Sequence, residues 1–189
     1  MITRDNCGDS LIVKQQDLFQ LDNGGSIPTS PLQMIIREIK VQNACRMNKN
    51  WHSRLPIIDW SNVTRTGKYV CYGAYFNNKC LAIGIWSSPI ARALNRKGIL
   101  ELRRMAISKN CPKNTASRMI SIMTKLIKKR FPEIKKLISY QDIEVHSGTI
   151  YKASNWVIGC KTKGQSWTLS RKRNKDQTTA DKIRWEYQL

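Results

Sequence analysis

The chain is short of acidic residues, of histidine and of long apolar runs, and each shortage narrows what it can be. Asp and Glu number 13 against 33 Lys plus Arg, a formal net charge of +20 over 189 residues. That excess is larger than solubility requires and points to a polyanionic partner. Nucleic acid leads, because basic side chains neutralise phosphates and release counterions. An anionic membrane surface is disfavoured by the lack of a long basic amphipathic helix with an aromatic face. No apolar run reaches spanning length and the start, Met1-Ile2-Thr3-Arg4-Asp5-Asn6, is polar rather than apolar, so neither a membrane span nor a signal peptide is expected. The six cysteines, Cys7, Cys45, Cys71, Cys80, Cys111 and Cys160, form no CxxC pair and no compact disulfide pattern, as expected of reduced thiols in the cytoplasm. His52 and His146 are the only histidines, which limits any metal site to two imidazoles completed by oxygen ligands such as Asp142 or Glu144. There are no internal repeats. The length suits one domain spanning residues 1–189.

What is present reads as a sheet with helices. Residues 1–28 are expected to form an N-terminal edge strand or an irregular arm. Ser30-Pro31 signals a helix start, and Leu32, Ile35, Ile36 and Ile39 predict a helical stripe fading near Asn48-Lys49-Asn50. A hairpin follows, Tyr69 to Phe76 and Cys80 to Trp86, turning at Asn77-Asn78, where asparagine tolerates positive φ. Ile90 to Lys97 reads as a short helix. After Tyr140 comes a loop to Gly148, a two-turn helix over Thr149 to Trp156, a strand around Trp167-Thr168-Leu169, and a basic segment over 170–189.

The centre of the chain is strand, helix, strand. Leu100 to Ile107 alternates apolar and polar residues, while Ala116, Met119, Ile120, Met123, Leu126 and Ile127 make one helical stripe. Lys136 to Tyr140 is the second strand, after a helix stop at Phe131-Pro132. Asn114 or Thr115 is placed to cap the helix, whose first-turn N–H groups open beside the strand end as an anion site, with Lys113 adding a mobile charge and Ser117 its hydroxyl. Adjacent strand residues face opposite sides, so only one of Arg103 and Arg104 is expected at the site, with Glu101 paired to Arg103.

The element order resembles the GNAT superfamily of acyl-CoA-dependent N-acyltransferases, with a mixed, largely antiparallel α+β sheet flanked by helices. Glu101-Leu102-Arg103-Arg104, Pro112-Lys113-Asn114-Thr115-Ala116-Ser117, Ile138-Ser139-Tyr140 with Asp142, and His146 through Trp156 together resemble the phage Mom DNA-modification family. The resemblance implies an enzyme that places a carbamoylmethyl-type or acyl group on the exocyclic amine of adenine, protecting phage DNA from restriction in the bacterial cytoplasm. It implies catalytic or donor-handling roles for Tyr151, Ser117, Asp142 and Arg104, with Lys113, Asn114 and Thr115 beside an acetyl-CoA-type donor. It also implies iron, for which His52 and Asp142 are the matching positions, although Trp51-His52-Ser53 stands where the family has a His-Tyr pair. Where GNAT enzymes carry a glycine-rich phosphate turn, this chain has Pro112-Lys113-Asn114-Thr115-Ala116.

On this reading Tyr151 donates a proton to the leaving group. Lys125, Lys128, Lys129 and Arg130 on the helix, with Arg171, Lys172, Arg173, Lys182 and Arg184 near the end, hold the phosphates of double-stranded DNA. The adenine is flipped between the Trp51–Pro56 segment and the Asp142–His146 loop, where Trp51, Tyr140 and Trp156 are stacking candidates. Two rivals stand beside it: a GNAT-type acyltransferase acting on a protein or small-molecule amine, and a non-catalytic basic nucleic-acid-binding module.

Overall fold

A computed structural model describes residues 27–51, 58–65, 67–91, 94, 98–164 and 180–189. The expected N-terminal arm, the segment containing His52, most of the Ile90–Lys97 helix, the Trp167–Leu169 strand and Arg171 to Arg173 lie outside these residues.

Seven strands form one sheet in the order β1-β2-β3-β4-β5-β7-β6. They are β1 (Ile35–Glu38), β2 (Tyr69–Phe76), β3 (Lys79–Ser87), β4 (Ile99–Ile107), β5 (Lys136–Asp142), β6 (Val157–Thr162) and β7 (Lys182–Gln188). Only β4 and β5 pair in parallel; the other neighbours are antiparallel. Among the described residues four α-helices accompany the sheet: α1 (Val41–Trp51), α2 (Trp60–Thr64), α3 (Thr115–Arg130) and α4 (Thr149–Lys152). The hairpin forms as expected, with Asn77 and Asn78 at φ 45° and 59°, the left-handed pair a two-residue turn demands. The strand, helix, strand centre is β4, α3 and β5, a parallel crossover.

The first helix expected from the sequence is not there. Ser30 and Gln33 cap each other's backbone over a single 3₁₀ turn, Pro31–Gln33, and the chain then extends into β1. Ile36 is buried at 7% exposure while Ile35 stands at 62%, a strand alternation that the helical spacing of the same isoleucines disguised. Pairing with β2, continued by the Ile39 N–H donating to the Cys71 carbonyl, outweighs a weak helical signal in β-branched residues. The helix comes later, as α1, and buries Val41, Ala44, Cys45 and Asn48.

Three smaller corrections concern the end of the chain. β5 runs on to Asp142, α4 is one turn rather than two, and the expected basic tail contains β7, which lies between β5 and β6. Lys182 and Arg184 are therefore sheet residues, and Arg184 pairs with Glu186 at 2.7 Å. Ile183, Trp185 and Tyr187 alternate with Lys182, Arg184 and Glu186 as in a half-buried strand, a pattern that the basic composition of the segment overshadowed.

The sheet has two apolar faces. On one, α3 packs Met119, Ile120, Met123 and Ile127 against Trp86, Leu100, Leu102 and Leu137. Each such side chain is worth about 1.5–3 kcal/mol when fully buried. α3 comes close enough that a Cβ on Gly84 would meet Met123 Sδ at 2.7 Å. On the other face, Val41, Ala44, Cys45, Ile58 and Val63 cover Cys71, Ile83, Ile85 and Ala106. Among the described residues no helix is long and apolar enough to cross a membrane.

Candidate active site

The parallel ladder between β4 and β5 ends at Leu102 opposite Ser139. Beyond it β4 continues to Ile107 beside β3, and β5 continues to Asp142 beside β7, so the two strands part. A wedge opens in the middle of the sheet, with strand-edge N–H and C=O groups along its sides.

Ser139 marks the apex. Its Oγ lies 3.2 Å from the Leu102 carbonyl and 2.8 Å from Tyr151 Oη. A serine hydroxyl has one proton, which goes to the carbonyl, so the tyrosine O–H donates to Ser139. Tyr151 is buried, stacked 5.4 Å from Trp185 and 5.8 Å from Trp156. Burial pushes its phenol up from the ordinary value, and the Ser139 hydrogen bond offsets only part of that. It is therefore protonated, as a proton donor must be.

Gly148 builds the turn that delivers this tyrosine. Its φ of +75° starts α4, and a Cβ there would meet Gln141 Oε1 at 2.5 Å and Trp185 Cζ2 at 2.6 Å. Gln141 accepts from Trp185 Nε1 at 2.6 Å and donates to the His146 carbonyl. Ser139, Gln141, Gly148 and Trp185 were given no role from the sequence. Ser139 and Gly148 lay within the motifs that carried the family resemblance, and Ser139 and Gln141 stand at alternate positions of an otherwise apolar strand.

α3 and α4 meet at the same side. Ser154 Oγ donates to the Ser117 carbonyl at 2.9 Å, while Ser117 Oγ turns back to the Asn114 carbonyl at 3.1 Å. Ser117 is thus brought to the neighbourhood of Tyr151. Asn114 occupies the cap position at φ 66° but makes no side-chain cap bond, contrary to expectation, and Thr115 Oγ1 bonds the Pro112 carbonyl at 2.8 Å. The left-handed Asn114 lets the loop enter α3 without glycine. Lys113 and Asn114 are exposed on a cleft of about 530 Å³ lined by residues 27–31 and 109–114. Arg118 Nε fastens the cleft's far wall by donating to the Pro31 carbonyl at 2.8 Å. Burial pushes the Cys111 thiol on this cleft up to about 11, so it is no nucleophile at neutral pH.

The expectation that Arg103 and Arg104 face opposite sides fails. Ile85 pairs with Arg104 and Trp86 with Leu102, so Arg103 is an extra residue, a β-bulge. Leu100, Leu102, Met105 and Ile107 pack on the α3 face, whereas Ala106 packs on the α1 face. The shift in alternation sets Glu101, Arg103 and Arg104 on the α1 side together. Burial pushes Glu101 above the usual carboxylate range, outweighing the charges of Arg103 and Arg104.

The remaining expected residues scatter. Asp142 ends β5 and accepts the Glu144 N–H at 3.1 Å. His146 is exposed, and among the described residues no three His, Cys, Asp or Glu side chains gather to hold a metal. Trp156 is in the core and Trp51 packs against the second cluster, leaving Tyr140, half-buried beside the wedge, of the three stacking candidates. Lys125, Lys128 and Lys129 are exposed on α3, but Arg130 is held by Glu38.

Solved structures share this architecture. The ribosomal-protein-S18-alanine N-acetyltransferase of Escherichia coli matches with a TM-score of 0.58 and 11% identity, covering 82% of this chain and 93% of that one. A GNAT family acetyltransferase from Elizabethkingia anophelis with acetyl-CoA bound matches at 0.56 and 12%, covering 83% and 99%. The acetyltransferase of Bacillus subtilis in complex with CoA matches at 0.55 and 12%, covering 82% and 99%. The fold is therefore that of the GNAT acetyltransferases, as the sequence resemblance implied. Among curated proteins no relative matches the chain. The model of the Mom protein family matches residues 33–188, nearly the whole described fold, and the chain belongs to that family.

Proposed function

We propose that this protein transfers a group from an acyl-CoA-type donor to the exocyclic amine of adenine in DNA. The observation that carries the reading is the wedge between β4 and β5, with the Tyr151–Ser139 pair at its apex, in a Mom-family chain of net charge +20. The wedge fits a donor of this kind. Its open strand edges suit an amide-bearing arm, and the cleft at the α3 N-terminus, with Lys113 at its rim, suits phosphates. Bound there, the donor would supply an activated carbon and a leaving group.

The chain's own residues do the rest. Ser117, Asn114, Thr115 and Lys113 lie along the donor side, and Tyr151, with its phenol proton at the apex of the wedge, is the residue that protonates the leaving group. A bond forms from the adenine nitrogen to the donor carbon, the bond to the leaving group breaks, and the nitrogen gives up one proton while the leaving group gains one. Asp142, the carboxylate at the end of β5, is the residue that receives the amine proton. The described residues do not fit iron, and no step is routed through it. Double-stranded DNA is the acceptor, and Lys125, Lys128 and Lys129 hold its phosphates.

Co-expression with a plasmid and mass spectrometry of its nucleosides is the test. A mass shift confined to adenine is expected. Unmodified adenine in every preparation overturns the reading, and modified protein with clean DNA would favour a protein-directed acyltransferase instead.

A further inference from the structure

Gln141 is buried next to the end of β5, and both ends of its carboxamide are engaged. Oε1 accepts the Trp185 Nε1 proton at 2.6 Å, while Nε2 donates to the His146 carbonyl. The two bonds run to different parts of the fold, one to β7 and the other to the loop between β5 and α4. Both need one planar group that accepts and donates. A methionine would fill similar space without desolvating an amide, so what the carboxamide adds is orientation.

On the β7 side, the pinned Trp185 indole lies against Tyr151, with ring centroids 5.4 Å apart and planes 16° apart. A Cβ on Gly148 would meet both Gln141 Oε1 and Trp185 Cζ2, so carboxamide, indole and the start of α4 leave one another no room. Displacing Gln141 therefore displaces the surface on which Tyr151 rests. On the loop side, the Asp142 carbonyl accepts the N–H groups of Val145 at 3.3 Å and His146 at 3.1 Å, and its carboxylate accepts that of Glu144. The Gln141 bond to the His146 carbonyl closes the same turn. Ile143, Glu144, His146 and Ser147 are exposed, so hydrogen bonds rather than packing hold this loop.

Building on the adenine-transfer reading, we propose that Gln141 is a positioning residue that fixes Asp142 and Tyr151 relative to each other, the first through the His146 carbonyl and the second through Trp185. In that reading Asp142 takes the amine proton and Tyr151 gives one to the leaving group. Gln141 itself moves no proton. Its two bonds join the group that receives one to the group that gives one, so that both are in place for a single transfer.

The test compares Gln141→Met with the unaltered protein. Methionine keeps length and volume but makes neither bond. The variant should bind an adenine-containing duplex oligonucleotide within about twofold of the unaltered protein. Nucleoside mass spectrometry of a co-expressed plasmid should show adenine modification lower by about tenfold to a hundredfold per folded molecule, the folded fraction being read from the thermal melt. Near-ultraviolet circular dichroism should show a weakened signal from the Trp185–Tyr151 stack. Modification at the unaltered level per folded molecule overturns the positioning role, and so does duplex binding lost in parallel with modification, which would make Gln141 a core residue only. An unchanged near-ultraviolet spectrum overturns the arm through Trp185. If Gln141→Met does not fold, Trp185→Phe takes its place. That variant keeps an aromatic ring against Tyr151 but offers Gln141 no N–H, and full modification by it overturns the proposal. Normal modification by folded Gln141→Met removes the positioning role alone, whereas unmodified adenine with the unaltered protein removes the transfer reading with it.

Discussion

Ser139 and Tyr151 share a 2.8 Å hydrogen bond at the point where β4 and β5 part. Because Ser139 spends its proton on the Leu102 carbonyl, the phenol proton points at the apex of the wedge. Tyr151→Phe removes that proton and little else. Nucleoside mass spectrometry should show modification lost, while DNA binding persists and stability falls by about 1 kcal/mol. Full modification by this variant would leave Tyr151 a core residue only.

Gly148→Ala tests the turn that positions the same tyrosine. The added methyl must occupy space held by Gln141 and Trp185, in a left-handed conformation alanine resists. The expected loss is on the order of 2–4 kcal/mol, from the backbone and from breaking the Trp185–Gln141 bond. Urea denaturation reads it directly, and an unchanged midpoint would mean that α4 shifts without consequence.

Lys125, Lys128 and Lys129 are free to meet a duplex, but Arg130 is engaged by Glu38 and is left out of the set. Neutralising the three lysines should lower the slope of log affinity against log salt by up to about three. If titrations at several salt concentrations give the original slope, the face is merely solvated.

Two carboxylates should bend the stability curve in opposite directions. Glu101 is raised by burial, so its contribution is fully present below the unfolded value of about 4.3 and is lost as pH rises through its higher folded value. For Glu186 burial acts upward, but hydrogen bonds from Lys136 and Arg184 prevail and lower it. Its contribution is present above about 4.3 and is lost as pH falls through the lower folded value. Thermal midpoints against pH should lose the first limb in Glu101→Gln and the second in Glu186→Gln. A limb that survives its own substitution assigns it to another group.

Local signals were legible wherever neighbours in sequence did the work. Alternation in Leu100 to Ile107, the stripe from Met119 to Ile127 and the Asn77-Asn78 turn each encode their own geometry, and β4, the hairpin and α3 form where expected. Tyr151 and Ser117 were singled out through a motif resemblance, and the fold draws their helices together. Failures came where a distant partner decides. Ile35 and Ile36 suit a helix until β2 offers them a ladder, and β7 gains its place only by pairing with two strands.

By itself, then, the sequence determined the charge, the central strand, helix, strand unit and the chemical types available to a site. Only the tertiary structure decided that Arg103 and Arg104 share a face, because a one-residue bulge reverses the alternation that adjacent positions imply. It also decided that Ser139 receives the Tyr151 proton, since that depends on where two strands separate and a helix from another part of the chain comes to rest.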